Sequence, residues 1–137
     1  MSIQAATERY AAFFSHLSPN DLQRFDKYFA VNARFCDPFN DVHGVDAIRN
    51  VFVHMYKQCT KPRFVVHDYA LSGQVAYLHW RFDCDQNVTI DGLSKVIFDE
   101  QGMVQEHIDY WDAAAQVYSR IPLLGSILSL VRGRLAA

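Results

Sequence analysis

Apolar positions along the chain recur with two different periods. Between residues 3 and 17, Ala6, Tyr10, Phe13, Phe14 and Leu17 fall three or four apart, the spacing that gathers side chains on one face of an α-helix. Ser18-Pro19 breaks that helix and opens a second, with Ser18 as N-cap and Pro19 at the first helical position. The second helix carries Leu22, Phe25, Tyr28 and Phe29 and is expected to end near Asn32. Ala33 to Asp37 reads as a short strand closed by Pro38, and a loop from Phe39 to Gly44 follows. A third helix is expected from about Asp46 to Gln58, with Ile48, Val51, Phe52 and Met55 on its apolar face. Beyond Lys61-Pro62 the period shortens to two. Strands are predicted over 63–71, 75–85, 88–98 and 103–112, with turns at Gly73, at Asp85-Gln86-Asn87 and at Asp99-Glu100-Gln101-Gly102.

Helix, helix, short strand, helix and then four long antiparallel strands make an α+β domain. The expected form is a cone-shaped, curved antiparallel sheet wrapped around three N-terminal helices, with a core over residues 3–112. Residues 113–137 form a C-terminal helical extension. It restarts after Pro122 with an apolar stripe of Leu124, Ile127, Leu128, Val131 and Leu135, bordered by Arg120, Arg132 and Arg134. Such a stripe suits closure of a pocket mouth, packing on a second subunit, or contact with a membrane; packing within the protein or its dimer is the expected use, not the membrane.

Composition narrows the classes. A length of 137 residues suits one domain, and 50% hydrophobic with 14% aromatic residues excludes disorder. The formal net charge of -2 offers no basic surplus for nucleic acid. Cys36, Cys59 and Cys84 are odd in number and include no C-x-x-C, so reduced thiols in a cytoplasmic protein are expected, with neither a disulfide framework nor a zinc site. Met1-Ser2-Ile3-Gln4 lacks the basic start of a signal peptide, and Ile121 to Val131 is too short for a bilayer. No glycine-rich phosphate loop, G-x-S-x-G or spaced histidine set is present, so no metal or cofactor is expected.

Candidate chemistry lies in two places. Asp37 sits at a strand end among Phe35, Cys36 and Phe39, where apolar surroundings resist ionisation and make a carboxyl usable as an acid or base; an Asp that caps a turn before proline is the alternative. His107, Asp109 and Trp111 alternate on the last strand and so share a face. Facing inward, Asp109 orients the His107 imidazole and Trp111 forms a flat wall; facing outward, the same residues are solvated surface. On strand 75–85, Ala76, Leu78, Trp80 and Phe82 form a core face, with Trp80 reaching the pocket. Tyr77, His79 and Arg81 form the other face.

Two places in the chain carry a family resemblance. Arg9-Tyr10-Ala11-Ala12, then Ala33-Arg34-Phe35-Cys36-Asp37-Pro38 with Gly44-Val45-Asp46-Ala47-Ile48-Arg49, resemble the ketosteroid isomerase and SnoaL-like pattern of the nuclear-transport-factor-2-like superfamily. Phe98-Asp99-Glu100-Gln101-Gly102-Met103-Val104 running into His107-Ile108-Asp109-Tyr110-Trp111-Asp112 resembles the SnoaL-like proteins more than the isomerases. The resemblance implies Asp37 as general base and Tyr10 as the donor that polarises a substrate oxygen. Ser94 stands where the isomerases carry a second, protonated Asp, a departure that argues against steroid isomerisation. It further implies a homodimer formed through the outer sheet face of Tyr77, His79 and Arg81. The resulting expectation is a pocket for a small hydrophobic carbonyl compound, catalytic through Asp37, His107 and Asp109, with Tyr10, Phe14, Trp80, Ser94 and Trp111 binding substrate. A non-catalytic ligand-binding or protein-interaction module is the alternative, because this fold serves both.

Overall fold

The computed structural model describes residues 1–85, 88–116 and 122–136, with the backbone alone at 122–125 and 128. Helix α1 spans Ile3–Ser15, and the Ser2 hydroxyl accepts from the Ala5 amide at 3.0 Å to cap it. Its predicted stripe is the buried one: Ala6, Tyr10, Phe13 and Phe14 all face the core. The Ser18-Pro19 signal opens the next element with a reciprocal capping box between Ser18 and Asp21.

That element is a 3-10 helix, Pro19–Lys27, and not a helix reaching Asn32. Phe29 instead begins strand β1, Phe29–Cys36, and Phe29, Ala33 and Phe35 turn inward. The reason is long-range. β1 lies parallel to β6, the strand Val104–Tyr110. A ladder partner about 70 residues away overrides a local helical pattern. The predicted loop before the third helix contains a further short strand, β2, Asp41–His43, before α2, Val45–Gln58.

Strands β3 (Arg63–Ser72), β4 (Val75–Asp85) and β5 (Val88–Phe98) form the predicted meander with β6. The sheet order is β2-β1-β6-β5-β4-β3, so six strands replace the expected four plus one. All neighbours are antiparallel except β1 and β6. Along β4 and β5 the inward positions are Ala76, Leu78 and Trp80, then Ile90, Ser94, Val96 and Phe98. Helices α1 and α2 pack on this face, and the aromatic core joins Phe13, Phe14, Phe25, Phe29, Phe35 and Phe52.

One expectation is corrected. Cys59 and Cys84 form a disulfide, with Cα atoms 4.9 Å apart, and Cys36 is the free thiol. Counting cysteines could not reveal that the C-cap of α2 meets the end of β4. The bridge also removes the reduced-thiol argument for a cytoplasmic location, since stable disulfides belong to oxidising compartments.

After β6 the chain enters α3, Ala113–Gln116, and later α4, Pro122–Leu135. The Gln116 side chain accepts from the Asp91 amide at 2.7 Å and donates to the Asp91 carbonyl at 3.0 Å. It takes the place of a strand partner where β6 no longer runs beside β5. Among the described residues no helix is long and apolar enough to cross a membrane. The Asp85-Gln86-Asn87 turn, Arg120 and the side chains of Leu124 and Leu128 lie wholly or partly outside the described residues.

Candidate active site

A cavity of about 550 Å³ lies between α1, α2 and the inner sheet face. Its walls are mostly aromatic and aliphatic, as an organic ligand requires. All eight residues expected to build a site line it: Tyr10, Phe14, Asp37, Trp80, Ser94, His107, Asp109 and Trp111. Their arrangement differs from the expected one.

Five of these side chains form a single chain of hydrogen bonds. The Trp80 indole donates to Ser94 Oγ at 2.7 Å, and Ser94 donates to Asp109 Oδ1 at 2.5 Å. His107 Nε2 lies 2.6 Å from the same Oδ1, and His107 Nδ1 lies 2.8 Å from the Tyr10 hydroxyl. Chemistry fixes the direction. An indole can only donate and a carboxylate can only accept, so Nε2 carries the imidazole proton and Nδ1 of the neutral ring accepts from Tyr10. Ser94, His107 and Tyr10 are 3%, 7% and 2% exposed, so the Trp80–Ser94 and Tyr10–His107 links are buried, and the two links to Asp109 are partly buried. Burial first, then the Asp109 charge, pushes the Tyr10 phenol well above its ordinary value, which keeps it a donor.

Strand geometry places this chain. His107 and Asp109 share the inner face of β6, and Ser94 pairs directly with Asp109 across the β5–β6 ladder. Phe35, in register with His107 on β1, stacks on its ring at 4.7 Å and 24°. Trp80 pairs with Gly92, where an added Cβ would sit 2.4 Å from the indole. Gly92 is therefore the position that lets the indole lie across β5 and reach Ser94. Sequence reasoning missed both Gly92 and Phe35. The signal for Gly92 was a glycine opposite a tryptophan in two well-defined strands.

Asp37 is held quite differently. Its Oδ1 accepts from the amides of Phe39 and Asn40 at 2.8 and 2.7 Å, and from Asn40 Nδ2 at 3.1 Å; Oδ2 lies 3.2 Å from the same side-chain nitrogen. It thus caps the turn that joins β1 to β2, while still touching the cavity. No hydrogen bond joins it to His107 among the described residues. Asp109, by contrast, has both bonds on Oδ1, and no described residue bonds its Oδ2. Phe39 and Trp111, 5.6 Å apart edge to face, complete the wall on the Asp37 side.

The curved sheet, the helices packed in its hollow and the cavity between them define an NTF2-like fold, and the comparisons with known proteins agree. The SnoaL-like domain model matches residues 10–107, and the chain belongs to that family. An NTF2-like protein of unknown function from Cytophaga hutchinsonii superposes with a TM-score of 0.67 at 16% identity, over 84% of this chain and 94% of that one. A protein assigned as a SnoaL-like polyketide cyclase from Jannaschia sp. CCS1 gives 0.70 at 13%, over 82% and 87%. TerC, co-crystallised with polyporic acid, gives 0.69 at 13%, over 82% and 93%. A search among curated proteins returned no match.

Proposed function

We propose that the protein is a cofactor-independent acid–base enzyme that moves a proton on a small apolar carbonyl compound. The observation that carries this reading is the half-used carboxylate of Asp109: one oxygen is fixed by two buried donors, the other is bonded by no described residue, and the side chain lines a largely apolar cavity. Asp109 takes a proton from a carbon next to the substrate carbonyl, and the C–H electron pair passes into the enolate. Returning the proton to another carbon gives isomerisation or sets up cyclisation. Delivering it to a departing hydroxyl gives dehydration. His107 and Ser94 are positioning residues for Asp109, and Tyr10 holds the His107 tautomer. Tyr10 and Ser94 direct their hydroxyl protons into the network, so their role is orientation and not direct contact with a substrate oxygen. Family neighbours named for polyketide cyclisation are consistent with such chemistry.

The binding-module reading has one observation in its favour: both candidate oxyanion donors are engaged internally. Deuterium exchange separates the two readings. Aryl alkyl ketones and bicyclic enones that fit the cavity are incubated with the protein in D2O, and loss of the α-proton signal is followed by NMR above the uncatalysed rate. The enzyme reading predicts protein-dependent exchange that falls about 10²–10⁴-fold in Asp109→Asn. Binding without any exchange across the panel supports the module. We further propose a homodimer through the outer sheet face, where Tyr77, His79 and Arg81 are joined by exposed Leu93 and Tyr110. Multi-angle light scattering that gives a monomer at micromolar concentration removes that proposal.

A further inference from the structure

Every described side chain of α4 is exposed. Ile127, Leu130, Val131 and Leu135 are 52%, 61%, 50% and 81% exposed, on a helix of 14 residues. Their spacing of three, one and four places them on one side of the helix. A soluble helix turns such a stripe onto its own core, and this one does not.

Charge points to the occupant. From Ala113 to Ala137 the sequence holds Arg120, Arg132 and Arg134 and no acidic residue, whereas the whole chain is net -2. Arg132 flanks the stripe. Arg134 lies on it at the helix end, where the aliphatic stem of an arginine can follow apolar surface while its guanidinium reaches outward to headgroup depth. An apolar stripe, an arginine beside it and another that can snorkel, and no carboxylate to be repelled are the features of a helix that lies in the surface of an anionic bilayer.

We propose that α4 docks the protein on anionic lipid membranes, lying parallel to the surface with Ile127, Leu130, Val131 and Leu135 among the acyl chains. This use differs from the packing within the protein or its dimer that the sequence suggested. It is independent of the chemistry in the cavity.

Flotation of the full-length protein with vesicles is the test. One set is phosphatidylcholine with 40% phosphatidylglycerol, the other phosphatidylcholine alone. The protein is expected to float with the anionic vesicles and not with the neutral ones, and to be released by salt as the surface charge is screened. Replacing Arg132 and Arg134 with Gln is expected to weaken partitioning about 30-fold, as each basic residue near the surface contributes about fivefold. Leu130→Ser with Val131→Ser abolishes flotation, and circular dichroism and the thermal transition report that the domain remains folded. No flotation of the wild type, or flotation unchanged in both variants, overturns the proposal. So does a wild type that self-associates through the stripe and dissociates in the serine variant, which would assign α4 to a second copy.

Discussion

Two carboxylates line the same cavity, and their surroundings differ in kind. Asp37 is satisfied by its own turn: the amides that it accepts from lie two and three residues further on. Asp109 is satisfied by Ser94 of β5 and by His107 on its own strand, which ties it through Tyr10 to α1. A carboxylate bonded by its local backbone stabilises a loop. One fixed on a single oxygen by buried side-chain donors is oriented and still has an oxygen to use. The family resemblance suggested Asp37 as the base; the proposed reading gives that role to Asp109. The difference shows that the partners of a carboxyl, more than its place in the chain, decide what it can do.

The largest expected effect on stability comes from the relay end. Gly92→Ala drives a Cβ against the Trp80 indole and should destabilise the fold by about 1–3 kcal/mol in urea unfolding, while the ring resonances of His107 shift as Ser94 loses its donor. An unchanged stability would mean that the indole has room to move and that the relay is looser than described. Tyr10→Phe sharpens the same comparison through pH. The wild-type phenol resists ionisation when folded and ionises near 10 when unfolded, so the folded state binds more protons above that pH. Stability is therefore retained below pH 10 and lost as pH rises through the ordinary tyrosine value, at up to about 1.4 kcal/mol per pH unit for this group. Tyr10→Phe should have a shallower alkaline decline, and parallel curves for the two proteins would contradict the buried phenol. The smallest effect belongs to the turn: Asp37→Ala should cost about 1 kcal/mol and leave the His107 resonances in place.

Much of this was legible in the sequence where the signal is periodic. The stripe of α1, the face of α2 and the inward set on β4 follow from spacings of three to four or two. The face shared by His107, Asp109 and Trp111 follows from alternation alone. What could not be read depends on contacts far apart in the chain. β1 begins at Phe29 because β6 is beside it, the Cys59–Cys84 bridge exists because α2 ends near β4, and the Tyr10–His107 bond spans the sheet and α1. Asp37 carries both of the readings given to it: Asp-Pro-Phe-Asn is a turn sequence, and the residue caps that turn while it lines the cavity.

Asp37→Asn and Asp109→Asn, compared side by side for α-proton exchange on a ketone that the wild type turns over, test the central claim most directly. Both changes are nearly isosteric, so differences in packing are small. With Asp109 as the base, its amide variant loses about 10²–10⁴-fold in exchange rate, and the Asp37 variant stays within about tenfold of wild type. The reverse order, with exchange abolished in Asp37→Asn and preserved in Asp109→Asn, would contradict the account.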